Sequence, residues 1–137
     1  MRIVPALLTA ALVLVSSAPA AARPTRAERG EADLAKALEG RVAGKPVDCI
    51  FLNEISSSEI IDGTAILYRT AGNRLYVNRP SSGKESLSRG KILVTDTRSP
   101  QLCSVDTVKL LDNGSRFMAG FVGLGAFVPY SRPTAAR

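Results

Sequence analysis

Apolar residues recur along this chain with three different spacings, and each spacing predicts a different kind of segment. Residues 3–15 (IVPALLTAALVLV) form an uninterrupted apolar run after Arg2, followed by Ser16, Ser17, Ala18, Pro19 and three further alanines. A short positive start, an apolar stretch and a small-residue end are the layout of a secretory signal peptide. Residues 1–22 are therefore expected to be a leader, cleaved after Ala20 or after Ala22. Read as a retained anchor, the uncharged stretch 3–22 would just reach across a bilayer. Ser16, Ser17 and Pro19 spoil its second half, so cleavage is the expectation. No cysteine marks the boundary and no Arg-Arg pair precedes the run, which argues against a lipoprotein and against twin-arginine export.

The second spacing is helical. In 31–42 (EADLAKALEGRV), Leu34, Ala35, Leu38 and Val42 fall on one stripe. Thr25 or Gly30 can start this helix, and Gly44-Lys45-Pro46 stops it. Residues 23–30 (RPTRAERG) lack large apolar groups and are expected to stay mobile. Together, 23–45 read as a charged lead-in with a short helix that packs on the body rather than on a membrane or a partner.

After Pro46 short β-branched and aliphatic runs alternate with turn residues, the signature of strands. The runs are 47–52, 59–62, 64–69, 75–78, 91–96, 105–111, 116–122 and 126–130. Asp62-Gly63, Gly72-Asn73 and Asn113-Gly114 mark tight turns. The expected fold is mainly β: a small antiparallel barrel or sandwich of about six to eight short strands with one N-terminal helix. This disulfide-linked domain covers 46–130, residues 79–90 (RPSSGKESLSRG) are its one long loop, and 131–137 are a flexible tail.

Composition sharpens this picture chiefly by exclusion. The 137 residues include no histidine and no tryptophan. Without histidine there is no Ser-His-Asp or Cys-His catalysis and no His-ligated metal, and two cysteines cannot hold a metal cluster alone. Neither a cofactor nor a metal is expected. In an exported chain Cys49 and Cys103 are expected to pair, because a redox couple would come as C-x-x-C. Closing that loop constrains the unfolded chain by roughly 4 kcal/mol in the chain-entropy account. The net charge of +6 falls to +5 once Arg2 leaves with the leader, and to +2 over 45–130. The basic balance thus belongs largely to the ends.

Candidate chemistry is thin. Glu54 and Glu59 flank Ser56-Ser57-Ser58, an inviting loop for carboxylate catalysis or calcium, and Asp62, Asp96 and Asp106 are further carboxylates to weigh. No D-x-D-x-D-G pattern occurs, so structural use is the better reading. Gly123-Leu124-Gly125 lacks the third glycine, lysine and following helix of a phosphate loop, and reads as a bulge, a bend or a close backbone approach. Tyr68 and Tyr76 face one another across a hairpin, as sheet support or as a surface. With Arg79, Lys84 and Arg89 they make the candidate binding surface. Asn113-Gly114-Ser115 is also a glycosylation sequon, though the turn accounts for it.

Taken as a set, several short stretches resemble a family of small exported proteobacterial proteins of unknown function. They are Val47-Asp48-Cys49-Ile50, Ile60-Ile61-Asp62-Gly63-Thr64-Ala65-Ile66, Leu75-Tyr76-Val77-Asn78, Gln101-Leu102-Cys103-Ser104-Val105-Asp106 and Gly123-Leu124-Gly125-Ala126-Phe127-Val128-Pro129-Tyr130. The resemblance covers residues 46–130. It implies export and a compact disulfide-linked domain, and it implies no activity. Ser86 and Val122 stand about where many relatives carry a second cysteine pair, so it implies a single bridge here. The expected function is a non-enzymatic periplasmic or secreted binding module, its partner a cell-envelope component or another periplasmic protein. A small carboxylate-dependent enzyme acting on envelope material is the alternative. An inhibitor of a basic lytic enzyme is disfavoured by like charge. Nucleic acid is disfavoured by export, and no membrane span is expected after cleavage.

Overall fold

The computed structural model describes residues 22–134, so the expected leader, apart from Ala22, lies outside the described residues. Helix α1 spans Arg26–Ala37. It begins five residues before the apolar stripe suggests, because its start is set by hydrogen bonding. The Thr25 hydroxyl accepts from the Glu28 N–H at 3.2 Å, and the Thr25 N–H donates to Glu28 Oε2 at 2.6 Å, a reciprocal cap. The segment expected to be mobile is therefore largely helical. Its far end stops at Leu38, and Gly40 follows with a φ of 70°, a left-handed turn that suits glycine. Val42, placed on the helical stripe from the sequence, instead belongs to a strand.

Ten strands follow: β1 (Val42–Ala43), β2 (Cys49–Phe51), β3 (Ile55–Ile61), β4 (Ala65–Thr70), β5 (Leu75–Asn78), β6 (Lys91–Val94), β7 (Gln101–Cys103), β8 (Thr107–Asp112), β9 (Met118–Gly123) and β10 (Phe127–Ser131). They form three antiparallel sheets, ordered β1-β10-β5-β4-β3, β2-β7 and β6-β8-β9. The mainly β character and the single N-terminal helix are as expected. The count is higher because β1 and β7 are too short to show an alternation, and β10 runs one residue into the expected tail. The sheets are not closed into a barrel. An isolated bridge ties Ser82, in the loop after β5, to Gly123 of β9, and among the described residues β3 pairs only with β4 and β6 only with β8. β3 and β6 therefore each keep a free edge, and a seam lies between the two.

β4 and β5, in the middle of the five-stranded sheet, are buried on both faces, which explains the near-continuous apolar run of β4. On one face Ile61, Ala65, Leu67 and Val77 pack against Leu34 of α1. On the other, Ile60, Ile66, Tyr68, Tyr76 and Phe127 meet Ile50, Leu102, Val108, Leu110 and Val122 from the two smaller sheets. Cys49 and Cys103 sit directly opposite in the β2–β7 pair and are joined by a disulfide, with no free cysteine among the described residues. No helix in this region is long and apolar enough to cross a membrane.

Candidate functional site

The widest departure from expectation concerns the carboxylates. Ser56-Ser57-Ser58 is not a loop but the exposed half of β3, and Glu54 and Glu59 are separated by it. Each weighed carboxylate whose bonding is defined has a structural partner. Glu59 holds Arg69 at 3.0 Å, Asp96 holds Lys109 at 3.3 Å, Asp62 accepts from the Arg89 N–H at 2.8 Å, and Asp106 accepts from the Cys103 N–H at 2.7 Å. Asp112 accepts from the N–H groups of Gly114 and Ser115 and from the Ser115 hydroxyl. These bonds, led by the Ser115 N–H, hold its carboxyl below the ordinary range. Asp112 thereby shapes the β8–β9 turn, whose left-handed residue is Arg116 rather than Asn113 or Gly114. No cluster of three or more potential metal ligands occurs among the described residues.

The candidate surface residues are dispersed rather than gathered. Tyr68 and Tyr76 do face one another in the β4–β5 register, but only 3% and 9% of each is exposed. The Tyr68 ring lies 5.8 Å from that of Phe127. These rings support the core and present almost no surface to solvent. Tyr68 Oη is the one buried side-chain polar atom lacking a hydrogen-bond partner among the described residues, and burial pushes its ionisation far up. Arg79 grips Glu31 with both terminal nitrogens, at 2.6 and 2.8 Å, and Arg89 meets Asp33 at 2.6 Å. These arginines pin α1 to the long loop, and the Arg79 bonds lower the Glu31 carboxyl below its usual range. Lys84 sits in a single 3-10 turn, Lys84–Ser86, beside the start of α1.

Gly123-Leu124-Gly125 is a close backbone approach. Asn78, fully buried, donates to the Gly125 carbonyl at 2.6 Å and accepts from its N–H at 3.1 Å. A side chain at Gly125 would collide with the Arg79 carbonyl. The glycines let the end of β5 and the β9–β10 connection meet.

What the molecule does offer is a cleft of about 490 Å³ at the open seam. Ser58, Glu59 and Ile60 of β3 form one wall, and Lys91, Ile92 and Leu93 of β6 form the other, with Arg89 at one end. That end is stitched shut by the Gly63 N–H on the Leu87 carbonyl at 3.1 Å and the Arg89 N–H on Asp62 Oδ1. Ile60 and Leu93 floor the cleft against the larger core. Unpaired strand edges expose rows of backbone donors and acceptors, so the two walls can bind a third main chain. Of this lining the sequence had singled out Glu59 and Arg89 but not Ile60 or the β6 wall, because edge status is a property of sheet order; the one local sign was a polar serine run inside a strand. No protein-family model, no curated protein and no solved structure matches the chain.

Proposed function

We propose that this protein is an exported, non-enzymatic binding module, shaped as a small barrel with one seam left open, and that its ligand engages that seam. The single observation carrying the proposal is that two unpaired strands of different sheets flank one cleft. The leader-like N-terminus, the Cys49–Cys103 bridge and the set of stretches resembling small exported proteobacterial proteins support an envelope location. A carboxylate enzyme is the weaker reading: Glu59 alone brings a carboxylate to the cleft, and Arg69 engages it.

Intact mass of the exported protein tests location and bridging together. A chain beginning at Ala21 or Arg23 and refusing alkylation without reduction is expected; a full-length chain with two alkylated cysteines would overturn the proposal. Capture from envelope extract tests binding, with Ser58→Lys as the control that obstructs the cleft. Turnover of envelope material abolished by Glu59→Gln would favour the enzyme instead.

A further inference from the structure

The three-stranded sheet carries an apolar outer face. Leu93, Val108, Leu110 and Val122 turn inward to the larger core. By strand alternation their neighbours turn outward, and the registers align those neighbours in two rows. Val94, Lys109 and Phe121 stand across β6, β8 and β9 in one row, and Ile92, Leu111 and Met118 in the other. Five of these six positions are apolar, and none of the five belongs to either core cluster among the described residues. An antiparallel sheet with one face on a core ordinarily keeps its other face polar. Here Phe121 is 51% exposed, Met118 53%, and Phe117, just before β9, 76%. Met118 reaches this face through an irregularity: Leu110 pairs with Gly120 but Leu111 with Met118, so Ala119 is an extra residue in β9. Without that bulge Met118 would share the inward direction of Gly120 and Val122. Lys91 supports the bulge, directing its ammonium to the Ser86 carbonyl at 2.8 Å and the Ala119 carbonyl at 3.5 Å. A local break in the ladder thus completes an apolar row.

Charge and area point to what covers it. Lys109 is the one charged position of the six, and its ammonium meets Asp96 at 3.3 Å, whose side chain is 74% exposed. One cation beside one anion gives the face no net pull on a charged surface. Under a two-fold axis the same pair is self-complementary, each charge meeting its opposite in a second copy. Phe117, Met118 and Phe121 supply most of an exposed apolar area on the order of 400 Å², at about 200 Å² for a free aromatic side chain. The smallest stable interfaces bury roughly 600 Å² per copy, about two-thirds of it apolar, which is the same amount. We infer that the protein forms a two-fold dimer by packing this face against its own copy. Phe121 and Met118 of one protomer lie on the apolar rows of the other, and Lys109 stands beside the partner's Asp96. The contacts are side chains of a sheet face, so the strand edges along the seam take no part.

Sedimentation velocity and peroxide oxidation of Met118, read by peptide mass, test this on the mature protein. Sedimentation should show monomer passing to dimer with a midpoint of about 10–100 µM, the range of a small transient interface. Over the same concentrations Met118 oxidation should slow about fivefold as the thioether is covered. Phe121→Lys should raise the midpoint by about tenfold or more. Asp96→Lys should weaken the dimer, and Asp96→Lys combined with Lys109→Asp should restore it. The wild-type oxidation result decides even where a variant fails to fold. A monomer throughout, with Met118 oxidised at one rate at every concentration, would overturn the proposal. A dimer that survives Phe121→Lys but is lost in Ser58→Lys would give the contact to the seam and overturn it equally. So would a monomer that floats with phosphatidylglycerol vesicles and loses that binding in Phe121→Lys, since the face would then belong to lipid. Self-association is measured without any ligand, so its failure leaves capture at the seam to stand or fall separately.

Discussion

The two edges of the five-stranded sheet are built differently. At one edge β1 contributes only two residues, the Gly44 N–H then crosses to the Pro129 carbonyl at 2.7 Å, and beyond Pro46 only Val47 bridges back to β10, at Phe127. At the other, β3 presents seven residues, with Ser56 to Glu59 exposed and no proline to blunt them. Short strands and prolines are the usual protection against edge-to-edge association. Here the β1 side has both, while β3 has neither and is marked only by a register irregularity between Ile55 and Ser57. The unprotected edge faces β6 across a recess. On the protected side Phe127 of β10 is wholly buried.

That contrast can be broken by substitution. Phe127→Ala should cost about 3–5 kcal/mol in urea unfolding, the range for removing a buried aromatic ring; a loss near zero would mean the β10 side does not carry the fold. Replacing Cys49 and Cys103 together by alanine should cost about 2–4 kcal/mol, and intact spectra in mild denaturant would argue that the bridge is dispensable.

Gly30→Ala should cost about 1–3 kcal/mol, because its Cβ would collide with Thr64 Oγ1 and the Asp62 carbonyl and lift α1 from the sheet. Unchanged exchange in α1 would refute that seating. Tyr68→Phe should leave stability unchanged or raise it by up to about 1 kcal/mol, since it removes a buried hydroxyl without a partner. Burial raises the folded-state ionisation of Tyr68 above its ordinary value of 10.0. Its neutral form therefore contributes stability that is complete below that pH and lost as pH rises beyond it. The wild type should weaken above pH 10 more steeply than Tyr68→Phe, and parallel alkaline unfolding curves would contradict this. The smallest effect belongs to the open edge: Ser58→Lys should shift stability by no more than about 0.5 kcal/mol while abolishing capture. A large destabilisation would show that β3 is not a free edge.

Much of the body was legible residue by residue. The 75–78 strand appears with the same bounds, and β4, β6, β8, β9 and β10 fall within a few residues of their apolar runs, because alternation and turn residues are local properties. The helix starts at Thr25, one of the two starts the sequence offers, and runs ahead of its apolar stripe because the Thr25 and Glu28 cap is the stronger local signal. Arg79 and Arg89 looked like free surface charge because their partners, Glu31 and Asp33, lie 48 and 56 residues away. The same distance hid Asn78, whose side chain serves Gly125.

By itself, then, the sequence determined a mainly β body with one N-terminal helix, two cysteines to pair, and no histidine-based chemistry. Those follow from periodicity and residue inventory, which need no neighbours. Only the tertiary structure decided which strand ends a sheet, which charges are neutralised and which tyrosines are covered. The cleft exists because β3 and β6, thirty residues apart and unremarkable alone, both lack a partner on the sides that face each other. An unpaired backbone is invisible in the residues that carry it, since every residue but proline has the same donor and acceptor.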